Sequence, residues 1–68
     1  MIDVNALRGI IAARGMTQQD VALILRINPK TFYNKMKKGV FGSDEIEKMI
    51  SVLSIDRPEK IFFAKNVT

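Results

Sequence analysis

Residues 16–39, MTQQDVALILRINPKTFYNKMKKG, decide the fold of this chain. Thr17 and Asp20 have the spacing of a capping box, in which a hydroxyl and an acid three residues later satisfy the free amides at a helix start. Asn28 followed by Pro29 is a second start signal, because proline at the first helical position loses no hydrogen bond. The stretch therefore predicts two short helices joined by a tight turn.

Apolar residues recur at helical spacing through both predicted helices. The residues expected to face the core are Val21, Ala22, Leu25, Phe32 and Met36, with Ile27 pointing back from the turn. Arg26 stands in that turn, and Gly39 can end the second helix in a left-handed conformation.

The flanking sequence predicts three more helices. Asp3 can cap the first helix and Gly15 can follow its end, while Ser43 or Asp44 can cap the fourth. Gly9 could permit the close approach of a neighbouring helix. Residues 64–68 are expected to fray. The expected helices span residues 3–14, 18–25, 29–38, 44–53 and 57–63. Further core positions are expected at Val4, Ala6, Leu7, Ile10, Ile11, Phe41, Ile46, Met49, Ile50, Leu53 and Ile55.

Length and composition favour a single all-α domain over residues 1–68. The chain is 47% apolar, which suffices for one core, and it shows no alternating pattern typical of strands. It has no cysteine and no histidine, so the usual general base and the commonest metal ligands are missing. We therefore expect no enzyme, no catalytic residue, no metal site and no cofactor. Asp44, Glu45 and Glu47 could suggest a metal site, but acids are also favoured at a helix start by the helix dipole.

The chain contains no membrane-spanning pattern. Its longest unbroken apolar run is Val21 to Leu25, far below the ~20 residues that a spanning helix needs. The start MIDVNALRGI lacks the basic and apolar regions of a secretory signal. A cytoplasmic protein is the expectation.

Positive charge is concentrated in one part of the chain. Residues 21–43 hold five basic residues and no acid, which sums to +5, whereas residues 1–20 sum to zero and residues 44–68 to −1. Clustered positive charge suits a phosphate backbone or an anionic membrane surface. A solvated basic face is the third interpretation.

The helix that begins after Asn28 has polar groups suited to the major groove of DNA. A lysine can donate to guanine and an asparagine can pair with adenine, so Lys30 and Asn34 are the expected base contacts. They share the face opposite Phe32 and Met36 with Pro29, Tyr33 and Lys37. Asn28 could reach a base or a phosphate, although its role as a helix cap is at least as well motivated.

Phosphate contacts are expected around these positions. Gln18 opens a helix, where free amides and the dipole attract an anion. The other expected phosphate contacts are Thr31, Tyr33, Lys37 and Lys38, and Thr17 beside Gln18 is also among the expected DNA-binding residues. Tyr33 could instead pack on the protein or touch a thymine methyl, and Lys35 stands near the boundary with the core.

The stretch MTQQDVALILRINPKTFYNKMKKG resembles the helix-turn-helix of the Cro and phage-repressor family, which includes the xenobiotic-response-element regulators. The hallmark is Thr17-Gln18, with Ala22 at the small position. TFYNKM followed by Phe41, and the ending LSIDRPEKIFF, look like the variant common in regulators of Gram-positive phages and mobile elements. The resemblance covers residues 3–63 and implies a five-helix lambda-repressor-like DNA-binding domain.

The resemblance also implies contacts. In that family the position of Gln18 contacts phosphate, and the positions of Asn28, Pro29, Lys30 and Asn34 contact bases. Pro29 departs from the usual polar residue, and Arg26 stands where the family usually has glycine. Either Arg26 is left-handed, at a cost of about 1–2 kcal/mol, or the turn takes another shape.

The resemblance further implies a homodimer on an inverted-repeat operator, with recognition helices about 34 Å apart. Candidate dimer residues are Leu23, Ile24, Phe62 and Phe63, and the two phenylalanines could equally help close the core. If the chain is complete, its size favours a stand-alone Cro-like regulator. The alternative function is a protein-interaction module of the same fold, such as an antitoxin-like or anti-repressor protein.

Overall fold

Of the five helices within residues 2–62, the second lies at the centre and contacts the first, third and fourth. A computed structural model describes residues 2–62 of the chain. The helices are α1 (Val4–Ala13), α2 (Gln18–Leu25), α3 (Pro29–Lys38), α4 (Ser43–Val52) and α5 (Pro58–Phe62). All regular secondary structure within these residues is helical, so the expected all-α class is confirmed there.

The helix starts are fixed by local side-chain contacts. Asp3 accepts a hydrogen bond from the Ala6 amide at the start of α1. At the start of α2, the Thr17 hydroxyl accepts from the Asp20 amide (3.1 Å) and the Asp20 carboxylate accepts from the Thr17 amide (2.9 Å). The expected capping box is therefore present.

The α2–α3 connection settles the shape of the turn. Arg26 adopts a left-handed conformation with φ 61° and ψ 39°, and its amide donates to the carbonyls of Ala22 and Leu23. The Ile27 amide donates to the Ala22 carbonyl at 3.0 Å. Of the two turn shapes considered from sequence, the structure takes the left-handed one, and Ile27 packs against the core as expected.

Among the described residues, an apolar cluster receives side chains from each of α1 to α5. Phe32, Leu7 and Leu53 are fully buried, and the Phe32 ring lies 5.4 Å from the ring of Phe41. The other buried members are Ile2, Ile11, Val21, Ala22, Leu25, Met36, Met49, Ile55, Ile61 and Phe62. Val4, Ala6, Ile10, Ile46 and Ile50 are partly buried against this cluster.

Several helix boundaries differ from the expectation by one residue: α1 is Val4–Ala13 rather than 3–14, and α4 is Ser43–Val52 rather than 44–53. α4 is capped by Gly42 rather than by Ser43 or Asp44, because the Gly42 amide donates to the Glu45 carboxylate (2.8 Å) and this fixes the helix start one residue earlier. α5 begins at Pro58, one residue after the expected start at position 57. Phe63 and residues 64–68 lie outside the described residues.

Gly9 does not serve as a point of close helix approach. A side-chain carbon placed on it would meet no atom within 4 Å, and the residue is exposed. None of the helices within residues 2–62 has the length and apolar character needed to cross a membrane.

Candidate nucleic-acid interface

The polar face of α3 is the most strongly basic exposed surface on a single helix among the described residues. Phe32 and Met36 are buried, so the helix rests on the core along that side. Six of the residues expected to contact DNA are exposed on α3 itself: Lys30, Thr31, Tyr33, Asn34, Lys37 and Lys38. The structure therefore brings these side chains together on one accessible surface.

The exposed lysines of this face are not neutralised by a carboxylate among the described residues. Within residues 2–62, Lys30, Lys37 and Lys38 form no salt bridge with a carboxylate. Lys37 and Lys38 also lie in the last turn of α3, where positive charge complements the negative end of the helix dipole. Their presence is thus consistent with helix stability as well as with anion binding.

Asn28 caps the start of α3. Its side-chain oxygen accepts a hydrogen bond from the Lys30 amide at 2.8 Å. The residue is exposed, and its side-chain amide nitrogen has no protein acceptor among the described residues. Capping occupies only the oxygen, so the nitrogen stays available to an external acceptor.

Pro29 does not share the exposed face with Lys30 and Asn34 as expected. It is half-buried. Pro29 precedes Phe32 by three residues and Met36 by seven, and both spacings place it on the buried side of a helix with 3.6 residues per turn. It occupies the first position of α3, where proline loses no hydrogen bond.

Tyr33 is neither buried in the domain nor fully exposed. Its side chain is 46% exposed, so about half of it is covered by the protein while the rest faces solvent. This exposure leaves part of the side chain accessible for a contact with DNA.

The start of α2 belongs to the helix that packs on α3. Gln18 is the first residue of α2 and is half-buried, while Thr17 is exposed. The Thr17 hydroxyl oxygen and the Asp20 carboxylate are engaged in the cap. The Asp20 carboxylate also brings negative charge to this helix start, which opposes anion binding there.

Two long-range contacts were not anticipated from the sequence. Lys35, which was expected near the core boundary, donates to both carboxylate oxygens of Glu45 at 2.8 Å. Arg14 donates to the carbonyls of Leu53 (2.6 Å) and Ser54 (3.0 Å), at the end of α4. No local spacing signals either contact, because the partners come from different helices.

The contact with Lys35 engages Glu45, one of the three acids Asp44, Glu45 and Glu47 near the start of α4. Burial raises the pKa of Glu45, but the Lys35 ammonium and the Gly42 amide outweigh it and hold the pKa below its ordinary value. Glu45 is therefore charged at neutral pH. Within residues 2–62, Asp44, Glu45 and Glu47 do not converge as a set of metal ligands.

The residues expected at a dimer interface differ in their exposure to solvent. Leu23 is 64% exposed and Ile24 is half-buried, so α2 has an apolar outer side. Phe62 is buried in the core and does not contribute to a surface.

Comparisons of the chain with protein-family models, curated proteins and solved structures gave no match.

Proposed function

We propose that this protein is a sequence-specific regulator of transcription that binds double-stranded DNA, with α2, the turn and α3 acting as a helix-turn-helix of the Cro and phage-repressor type. The observation that carries this proposal is the exposed face of α3, where Lys30, Lys37 and Lys38 stand without a carboxylate partner among the described residues. Cations at this density suit a phosphate backbone. The adjoining Asn34 adds a group that can pair with adenine.

In the proposed complex, α3 lies in the major groove. Lys30 and Asn34 contact base edges, since they lie near the middle of the exposed face. Lys37, Lys38, Thr31 and Tyr33 contact the sugar-phosphate backbone at its margins. The Asn28 amide nitrogen and the Gln18 side chain supply further donors at the starts of the two helices.

The proposal includes a homodimer on an inverted-repeat operator and a role in a phage or mobile element, acting in the cytoplasm. Two copies would present two α3 helices about 34 Å apart, one turn of DNA. Leu23, on the outer side of α2, is an apolar residue available to such a pairing.

The test is a selection of binding sites from random duplex DNA, followed by fluorescence anisotropy on the selected duplex. A dimer with about 6–10 phosphate contacts is expected to lose ~10³–10⁵ in affinity between 50 and 200 mM salt. The selected sequence should be palindromic. A protein that enriches no sequence and shows no DNA affinity at 50 mM salt does not have this function.

A second candidate function is supported by the surface beside α2. Leu23 is exposed, and a groove with a volume of about 570 Å³ lies between the end of α2 and α4. Its lining combines the apolar Ile24 and Val52 with the polar residues Arg26, Asp44, Glu47, Lys48 and Ser51. A protein-interaction module would use Leu23 and the apolar residues of this mixed groove. Binding to a partner protein that persists at high salt, together with no DNA binding, would favour this function, because apolar contacts are not screened as charges are.

A further inference from the structure

Glu45 is the acceptor of three hydrogen bonds at one edge of α3. Both of its carboxylate oxygens lie 2.8 Å from the Lys35 ammonium, and one of them also accepts from the Gly42 amide at 2.8 Å. The side chains of Lys35 and Glu45 are only 34% and 17% exposed. An ion pair that is this well shielded and hydrogen-bonded is held more firmly than an exposed one.

The pair joins two helices that otherwise have little direct backbone packing. α3 makes its extensive helix contact with α2, not with α4. Lys35 lies on α3 and Glu45 in the first turn of α4, and the Gly42 amide belongs to the connection between them. Glu45 therefore ties one edge of α3 to both the loop and the start of α4.

Lys35 borders the polar face of α3. It lies four residues after Thr31 and therefore on the same side of the helix. Its charge is neutralised by Glu45, whereas Lys30, Lys37 and Lys38 have no carboxylate partner within residues 2–62. Lys35 is thus engaged by Glu45, while the other three lysines of α3 face solvent.

We propose that Glu45 is a positioning residue for DNA recognition, which fixes α3 against α4 and keeps the Lys35 charge away from the DNA backbone. This inference rests on the proposed function. Phosphate contacts strengthen binding to every sequence alike, whereas base contacts distinguish sequences and depend on where α3 holds Lys30 and Asn34, so fixing α3 favours the selected site over unrelated DNA. Glu45 then raises specificity without touching a base.

The experiment compares the salt dependence of DNA binding for the wild type, E45Q and the double variant K35Q/E45Q, on the selected duplex and on a duplex of unrelated sequence. E45Q frees Lys35 for phosphate, so the slope of log K against log salt should steepen by about 0.9 per subunit, or about 3.5-fold in affinity between 50 and 200 mM. Its preference for the selected duplex should fall. K35Q/E45Q has no charge to release and should return to the wild-type slope.

E47Q is the matched control, because it removes a carboxylate from the same helix that has no salt-bridge partner within residues 2–62. Its slope should stay at the wild-type value. An E45Q slope equal to that of the wild type, or an equal steepening in E47Q, overturns the proposal. So does a K35Q/E45Q slope that is shallower than the wild type, since Lys35 would then already contact phosphate. Circular dichroism of each variant verifies that it is folded.

A carboxyl NMR titration without DNA tests the ion pair itself. The pKa of Glu45 should be higher in K35Q than in the wild type, and equal values would overturn the inference. Failure of the proposed function has a different signature, because the wild type would then bind neither duplex at 50 mM salt. DNA binding with an unchanged E45Q slope would reject the role of Glu45 alone.

Discussion

At the scale of single residues, Arg26 has a strained backbone conformation that the turn between α2 and α3 requires. Its φ of 61° is a conformation that glycine adopts without penalty and other L-residues adopt at a cost. The turn is retained because two amides, those of Arg26 and Ile27, donate to carbonyls at the end of α2. Ile27 is thereby returned to the core.

Replacing Arg26 is expected to reveal this strain. R26G should be more stable than R26A by about 1 kcal/mol, because alanine keeps the left-handed penalty and glycine does not. Both variants lose the same side-chain charge, so the comparison isolates the backbone. Urea unfolding followed by circular dichroism measures the difference. Equal stabilities would mean that the turn carries no strain at this position.

At the scale of helices, the elements are connected by contacts from side chain to backbone as well as by the core. The Arg14 guanidinium, just after α1, donates to the carbonyls of Leu53 and Ser54 at the end of α4. The last carbonyls of a helix have no partner within it, and a cation also complements the dipole there. Arg14 therefore caps a helix that is distant in sequence.

Loss of this cap should destabilise the domain. R14M keeps the aliphatic stem but leaves the α4 carbonyls without their donor, and about 1 kcal/mol of unfolding free energy should be lost, since the guanidinium is partly in water. R8M is the matched control, because Arg8 donates to Asn5 within α1 only (3.3 Å). Thermal unfolding should show a clearly lower midpoint for R14M than for R8M. A similar midpoint for both variants would contradict the capping role.

The Lys35–Glu45 pair should make stability depend on pH in a defined direction. The pKa of Glu45 is lowered in the folded state from its ordinary value of 4.5, so the stabilisation is fully present above that value and is lost as the pH falls through the folded-state pKa. At neutral pH the free energy of unfolding of the wild type should exceed that of E45Q by about 1 kcal/mol. The difference should shrink below about pH 4.5. Urea unfolding at several pH values measures it, and a difference that is constant with pH would argue against the pair.

At the scale of the whole molecule, the core and the basic surface lie on opposite sides of the same helix. Phe32 and Met36 bury one side of α3, while Lys30 and Asn34 face outward on the other. The surface of α3 is therefore held by the packing of the entire domain, including the contact of Phe32 with Phe41. The proposed contacts with DNA depend on that support.

Substitutions on this surface should separate contacts to bases from contacts to phosphate. K30A and N34A should each cost about 1–3 kcal/mol on the selected duplex and relax the preference at one base position. K37A should weaken binding to all sequences alike and reduce the salt slope by about 1 per subunit. Anisotropy titrations on the selected duplex and its single-base variants measure both effects. Uniform losses for K30A and N34A would move these residues from base contacts to phosphate contacts.

The sequence by itself determined the helices, because their signals are local. The capping box at Thr17, the cap at Asn28 before Pro29, and the spacing of Phe32 and Met36 all act within four residues along the chain. The same periodicity indicated which residues of α3 are exposed. It misplaced Pro29, whose register lies nearer the core side than was inferred, and the start of α4, which depends on the Glu45 side chain.

Only the tertiary structure decided the contacts between helices. Lys35 meets Glu45 across ten positions and Arg14 meets Leu53 across 39, and nothing in either spacing predicts that the groups approach. The shape of the turn at Arg26 was open from sequence, because the strain of a left-handed arginine is local while the burial of Ile27 that favours it is not. Local signals fix each helix by itself, whereas the partners of its charged groups are set by how the helices pack.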